Sequence, residues 1–470
     1  MRRSVFAGVA LAASVGAAPA LQAQGSGVDQ HSACMTGRVG AGTASPCADG
    51  SAIYFSPGGL AFQPSMLGAN LTVIRTSNDF IYDRAAAPTA SRGPATATVP
   101  ALFGSYRINE RWAAGLGVFA PYGLGIEWEP EGFEGRFSSY DTALRGIYIQ
   151  PTVAYQVVPG LISVGAGVDF VRGSVELNQR ADLAAVPLPA GPTTPPGATF
   201  ANLGIPFGTD FADVNLKGDG SAVTGHVGVV IRASDRLSLG ARYLHSARVD
   251  LDGDATFNIV PTNLTLAPGN PLNPAASIPV DALVASRFQA GQALANQGIT
   301  SSIEFPAQAV FGVSVRPAPQ LDLLVDYQWT GWSSFDQLAV DFQEAGADTE
   351  LTLGYKDTNT FRFAAEYASS QALILRAGFR YNDAATQIGT PLLPENERNY
   401  YTAGIGYRFR DGLGIDAAYQ YIDQADRRGR VRPGGIDPAE SVGLYTAEAS
   451  TFGVTLSYRF GRMMDRAAAQ

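Results

Sequence analysis

The sequence predicts an all-β protein: a transmembrane β-barrel of about fourteen antiparallel strands, with an N-terminal plug inside the lumen. Three observations carry that expectation. Runs of about ten residues alternate apolar side chains with small or polar ones, as a strand between lipid and a wet lumen requires. The connections between runs are short and long in turn. An export signal stands in front, and no later apolar stretch is long enough for a membrane helix.

The signal comes first in the chain. Arg2 and Arg3 form a positive start, Val5 to Ala18 is apolar, and Ala18-Pro19-Ala20 and Ala23 offer small residues for cleavage. Residues 1–23 are therefore expected to be removed. The formal charge of −9 becomes −11 on loss of Arg2 and Arg3, and only 16% of residues are charged. That balance excludes a basic nucleic-acid surface. The combination of Tyr, Phe and Gly with only two lysines, Lys217 and Lys356, suits a barrel better than a string of soluble domains.

The alternation is clearest near the C-terminus. Phe452, Val454, Leu456, Tyr458 and Phe460 point one way, and Gly453, Thr455, Ser457 and Arg459 the other. The pattern repeats at Leu321–Trp329, Leu373–Tyr381, Ala403–Phe409 and Leu413–Tyr421, with aromatics towards the strand ends as interfacial girdles. Candidate strands lie near 66–76, 98–108, 112–120, 146–157, 161–176, 214–233, 236–251, 301–316, 320–330, 358–368, 372–382, 400–410, 412–424 and 446–460. Tight turns such as Pro159-Gly160, Ser234-Asp235 and Asp411-Gly412 read as periplasmic. The long segments 177–213 and 252–300 read as extracellular loops. Both are rich in Ala, Pro and Leu and poor in charge, so they either pack on themselves or present an apolar capture surface. Residues 63–460 form the barrel, and 461–470 are a C-terminal extension.

Residues 24–62 precede the first strand and are small, Gly-rich and turn-rich. Such a segment hangs free in the periplasm or folds into the lumen. Cys34 and Cys47, in an oxidising compartment, are expected to form a disulfide, which argues for a compact plug. His31 beside them is too little for a metal site. The three histidines are scattered, and the Gly115-Leu116-Gly117 and Gly165-Ala166-Gly167 runs sit inside strands rather than before a helix. No enzyme, cofactor or metal is expected.

Several charges fall on the inward parity: Arg242, Asp326, Arg362, Glu366, Arg376, Arg380, Arg408 and Asp416. They either brace the lumen as ion pairs or supply a binding site for a carboxylate head group, for which Arg362, Arg376 and Arg380 are the candidates. Trp332 and Phe335 either line an apolar pocket or belong to the girdle. A proline inside a closed barrel breaks a ladder, and Pro121 and Pro151 do so. Pro121, with Gly123 after it, marks a wall opening or a contact with the plug.

Five spaced segments resemble the FadL-type outer-membrane transporters of long-chain fatty acids and hydrocarbons. They are GRVGAGTASPCADGSAIYFSPGGLAF, GLGVFAPYGLGIEW (Gly115 to Trp128), the stretch from Phe305 to Phe335, Tyr355 to Ala384, and Leu393 to Phe409. The first resembles the family's hatch. Its Asn-Pro-Ala box is replaced by Ser56-Pro57-Gly58-Gly59-Leu60. The resemblance implies a fourteen-stranded barrel, a hatch over residues 24–62 in which Ser56, Pro57, Gly58 and Gly59 take part in gating, and lateral exit through the wall. It implies a multi-pass protein of the bacterial outer membrane that passively takes up hydrophobic small molecules. Its partners would be that substrate and the surrounding lipid, with no nucleic acid, and it would act as a monomer. A surface adhesin or structural outer-membrane barrel binding a partner through its long loops is the alternative; a general polar porin would need polar loops, whereas these are apolar.

Overall fold

The structure, a computed structural model, describes residues 27–83, 90–188, 194–335, 337–344, 349–352, 354–386, 389–391, 396–431 and 442–460. The expected export signal and the extension after Phe460 lie outside the described residues. Fourteen antiparallel strands close into a barrel. They are β1 Ser65–Tyr82, β2 Ala90–Arg107, β3 Trp112–Glu127, β4 Asp141–Val158, β5 Ile162–Asp182 and β6 Asp210–Ser234. β7 (Leu237–Leu244 and Ala247–Ile259), β8 (Gln297–Phe305 and Gln308–Ala318), β9 (Leu321–Thr330 and Gln337–Phe342) and β10 (Thr349–Thr352 and Thr358–Ala368) are each interrupted once. β11 Leu373–Asn382, β12 Arg398–Arg408, β13 (Leu413–Gln424 and Arg427–Arg430) and β14 Val442–Phe460 complete the wall. Closure is made by β1 on β14, in register from Ser65↔Phe460 to Tyr82↔Gly443.

The burial pattern is that of a barrel in lipid. On β14, Phe452, Leu456 and Tyr458 face outward and are about half exposed, whereas Thr451, Thr455 and Ser457 are buried inward. A soluble sandwich would reverse this. In lipid the exposed set costs nothing, and strand pairing satisfies the backbone groups. Near the short turns Tyr106, Trp112, Tyr367, Tyr407 and Phe409 form one outward aromatic row; Phe170, Tyr243, Phe361, Tyr401 and Tyr421 form another higher up.

All fourteen strands fall where the alternation places them, but several run further. β5 and β6 continue to Asp182 and back to Asp210, so the two long connections shrink to 183–209 and 260–296. Above the lipid both faces of a strand are polar, and the period of two fades although the ladder continues. The two connections pack on each other. Leu183, Phe200, Ile205, Phe211, Leu266, Val280 and Val284 form a buried cluster, and Arg287 Nη2 donates to the Pro187 carbonyl at 2.6 Å. Of the two readings of these loops, self-packing is realised, although Phe207 remains 48% exposed.

Residues 27–63 lie inside the barrel and touch the wall around its circumference. The Ala33 N–H donates to Thr455 Oγ1 on β14 at 2.7 Å, and Thr402 Oγ1 on β12 donates to the Gly37 carbonyl at 3.1 Å. The N–H groups of Gly42 and Thr43 donate to Asp326 on β9, and Gln156 on β4 donates to the Ala61 carbonyl. The segment contains α1 Ala33–Gly37, capped by Ser32 Oγ, and α2 Ala52–Phe55. Cys34 and Cys47 are disulfide-bonded, with Cα atoms 6.2 Å apart. Close approach to the wall needs glycine. A Cβ at Gly165 would lie 2.2 Å from the Pro57 carbonyl oxygen, and one at Gly240 would lie 2.3 Å from that of Thr43. Gly165 and Gly240 are therefore places where the wall receives the inner segment.

Candidate functional site: a lateral seam and the lumen behind it

One seam of the barrel is unlike the others. β2 and β3 pair only from Leu102↔Val118 to Arg107↔Ala113. Beyond that, β2 pairs with β1 alone and β3 with β4 alone. The chemistry is visible at both edges. Pro121 lacks an N–H and lies in a bulge where the β3–β4 register shifts between Phe119 and Tyr122. Pro100 lies on the facing edge of β2, opposite the same bulge if the register is continued. β3 bends inward there, so both faces of Phe119–Ile126 are buried, including Gly123.

The inner segment begins in this seam. Gly27 makes an antiparallel bridge to Tyr122, and the Val28 N–H donates to the Pro121 carbonyl at 2.8 Å. Val28 is fully buried among Ile74, Ala97, Val99 and Ala120. The segment thus adds to the free edge of β3, where β2 has withdrawn.

Behind the seam lies an aromatic lumen. Tyr122 stacks on Phe305 with centroids 5.1 Å apart, and meets Trp332 edge-on at 6.1 Å. Its hydroxyl donates to the Pro306 carbonyl at 2.6 Å and accepts from Gln308 Nε2 at 2.9 Å. Trp332 is buried and Phe335 half-buried, with Tyr355 touching both. They face the lumen rather than the girdle. His31 is enclosed by Tyr54 and Phe119, and burial pushes its imidazole down to about 4, so it sits there neutral. Higher up, below the packed loops, an apolar cleft of ≈ 390 Å³ is lined mainly by Val175, Leu177, Leu216, Leu251, Ile299 and Val340.

The inward charges form two groups. In one, Arg376 lies between Glu366 and Asp416, Arg38 of the inner segment also pairs with Glu366 at 2.6 Å, and Arg408 reaches Asp416 at 2.8 Å. In the other, Arg362 and Arg380 both pair with one carboxylate, Asp29, at 2.8 and 2.6 Å. Burial opposes ionisation of Asp29, but the guanidinium groups of Arg362, Arg380 and Arg242 outweigh it and hold its carboxyl well below the usual range. A polar cleft of ≈ 350 Å³ opens here, lined by Asp29, Arg380, Gln308, Gln328, Asn382 and Trp332 among others. Of the three arginines singled out from sequence, Arg376 is a brace, Arg380 lines the cleft, and Arg362 meets it only through the Asp29 and Gln328 side chains that it pairs with.

Ser56 Oγ donates to the Thr43 carbonyl at 2.6 Å, while Pro57 and Gly58 rest on Gly165 and Val229 of the wall. Gly59 packs on Pro46 within the segment. His226 bonds Asp169 at 2.8 Å and Thr152 at 2.9 Å inside the wall, beside Pro151. This buried trio ties β4, β5 and β6 together where the proline interrupts the ladder. Sequence reasoning missed Val28, Asp29, Tyr122 and Pro100. Only Pro100 carried a signal, a proline inside a strand run; the others acquire their roles from partners far along the chain.

Fold and site define a class, a β-barrel transport channel of the outer membrane rather than an enzyme. The chain belongs to the family of outer membrane protein transport proteins (OMPP1/FadL/TodX), whose sequence profile matches residues 13–460. It is 24% identical over 370 residues to the 47 kDa outer membrane protein of Pasteurella multocida, covering 77% of each chain. It is 25% identical to the long-chain fatty acid transport protein of an Escherichia coli O6:H1 strain, covering 70% of each. Among solved structures, a Pseudomonas aeruginosa FadL homologue superposes with a TM-score of 0.75 at 22% identity, covering 93% of this chain and 100% of the other. The Ralstonia pickettii toluene transporter TbuX gives 0.60 at 22%, covering 90% and 98%.

Proposed function

We propose that this chain is a passive channel for hydrophobic small molecules, long-chain fatty acids or hydrocarbons, with lateral release into the membrane. The observation that carries the reading is the β2–β3 seam opening onto an aromatic lumen. Relatives named for fatty acid and toluene transport support it. Residues 1–23 would be the export signal and 24–62 the hatch, with Ser56 to Gly59 seating it on the wall. Solute would be caught at the packed outer loops, enter through the apolar cleft, and lie against Trp332 and Phe335. A head group, where there is one, would meet Arg362 and Arg380, with Arg376 holding the wall beside them. Exit into water would cost about 25 cal/mol per Å² of apolar surface, and exit through the seam at Pro121 avoids that. The chain would act as a monomer in contact with outer-membrane lipid.

The test is uptake by proteoliposomes of labelled oleate beside toluene, for the native protein and a Gly123→Trp/Gly125→Trp variant that fills the seam. Native uptake with at least a hundredfold loss in the folded variant, ligand binding being retained, is expected. Equal uptake by both would end the lateral route.

A further inference from the structure

On the lumen side of β4 and β5 one carboxylate is left without a cation. Asp169 is fully buried, and no arginine or lysine pairs with it among the described residues. His226 Nδ1 engages Asp169 Oδ1 at 2.8 Å, and the same ring holds Thr152 Oγ1 at 2.9 Å. That chain fixes the carboxylate and leaves its Oδ2 with no hydrogen-bond partner among the described residues.

Two more unpartnered atoms face the same place. β4 and β5 pair at Ile149↔Phe170 and at Thr152↔Gly167, which sets Gln150 opposite Asp169. Side chains directly opposite on one face have Cβ atoms about 4.5–5.5 Å apart. Both point inward, since their neighbours Ile149 and Phe170 are exposed on the lipid side. Gln150 Oε1 has no partner, and neither has the hydroxyl of Tyr148, the next inward residue of β4, which lies within electrostatic reach of Asp169. Gln150 and Tyr148 are each 1% exposed. Buried polar atoms are nearly always satisfied, and three on one patch of wall call for a common partner.

We propose that Asp169 Oδ2, Gln150 Oε1 and the Tyr148 hydroxyl oxygen bind a monovalent alkali cation, with His226 and Thr152 as positioning residues behind the carboxylate. The donor set is one carboxylate and two neutral oxygens, hard ligands suited to sodium or potassium. One positive charge balances one carboxylate, whereas calcium would leave a buried excess charge and lacks the several acidic oxygens it takes. The cation joins β4 to β5 at the level where Pro151 interrupts their ladder, beside the β3 bulge between Phe119 and Tyr122. It thus holds β4 in place where β3 turns away from β2.

The experiment is thermal unfolding of the protein purified from outer membranes, in dodecyl maltoside micelles at matched ionic strength. Sodium or potassium chloride is expected to raise the midpoint saturably, by about 3 °C over N-methylglucamine chloride. Crystals grown with thallium(I), a heavy stand-in for potassium, should show an anomalous peak in contact with Asp169 Oδ2. Asp169→Asn keeps an oxygen for His226 but not the charge, and should lose both the ion dependence and the peak. Gln150→Leu should raise the half-saturating salt concentration about tenfold. Equal midpoints in all three salts, a missing thallium peak, stabilisation by calcium alone, or an ion dependence that survives Asp169→Asn overturns the inference and leaves water or His226 as the carboxylate's partner.

Discussion

The wall from β10 to β13 and the seam between β2 and β3 are built from the same kind of strand and behave in opposite ways. In the first, ladders are continuous from Thr360↔Asn382 through Arg398↔Gln424, and buried charges are paired more than once: Glu366 with Arg38 and Arg376, Asp416 with Arg376 and Arg408. In the second, six residue pairs hold the lower part and nothing holds the upper part except a visiting segment. The difference lies in two prolines and a bulge. A barrel has no edge to spare, so removing two donors at one level turns a continuous wall into a slot, which residues 27 and 28 of the inner segment fill.

The comparison breaks most severely at Arg376. Arg376→Met should leave Glu366 to Arg38 alone and Asp416 to Arg408 alone; losing two buried charge-assisted hydrogen bonds at once should destabilise the barrel by about 3–5 kcal/mol, read from the urea midpoint of folded protein in micelles. Arg362→Met should cost distinctly less, because Arg362 makes one ion pair where Arg376 makes two. Equal losses would mean that the two arginine groups are alike. Next in size is the disulfide. Cys34→Ser/Cys47→Ser should weaken the inner segment by about 3 kcal/mol, its loop spanning 13 residues, and should raise hydrogen exchange in residues 27–63 without altering the β10–β13 strands.

Mending the seam is the converse experiment. Pro100→Val/Pro121→Val restores two donors and should stabilise the wall by about 1 kcal/mol while cutting oleate uptake roughly tenfold. Faster uptake in a folded variant would show that the prolines do not make the slot. The smallest effect is expected at the outer rim. Phe207→Ser removes an exposed aromatic from the packed loops and should slow initial uptake only about twofold, with binding inside the barrel unchanged. A complete block would move the rate-limiting contact from the seam to the loops.

The count of fourteen, the direction of each strand and the side on which each charge lies were legible in the sequence, because a period of two assigns every residue to lipid or lumen. Pro121 was legible for the same reason, and Pro100 could have been. The strand ends were not: above the lipid β5 and β6 keep their ladder but lose the apolar partner that made the alternation visible. Nor was the division of the arginines. Arg362 meets Asp29 across 333 residues of chain and Arg376 meets Asp416 across 40. Local pattern decides which way a side chain points. What it meets there depends on how the barrel closes and where the inner segment settles within it, and so only the tertiary structure separates a doubly paired brace such as Arg376 from an arginine beside a cleft such as Arg380.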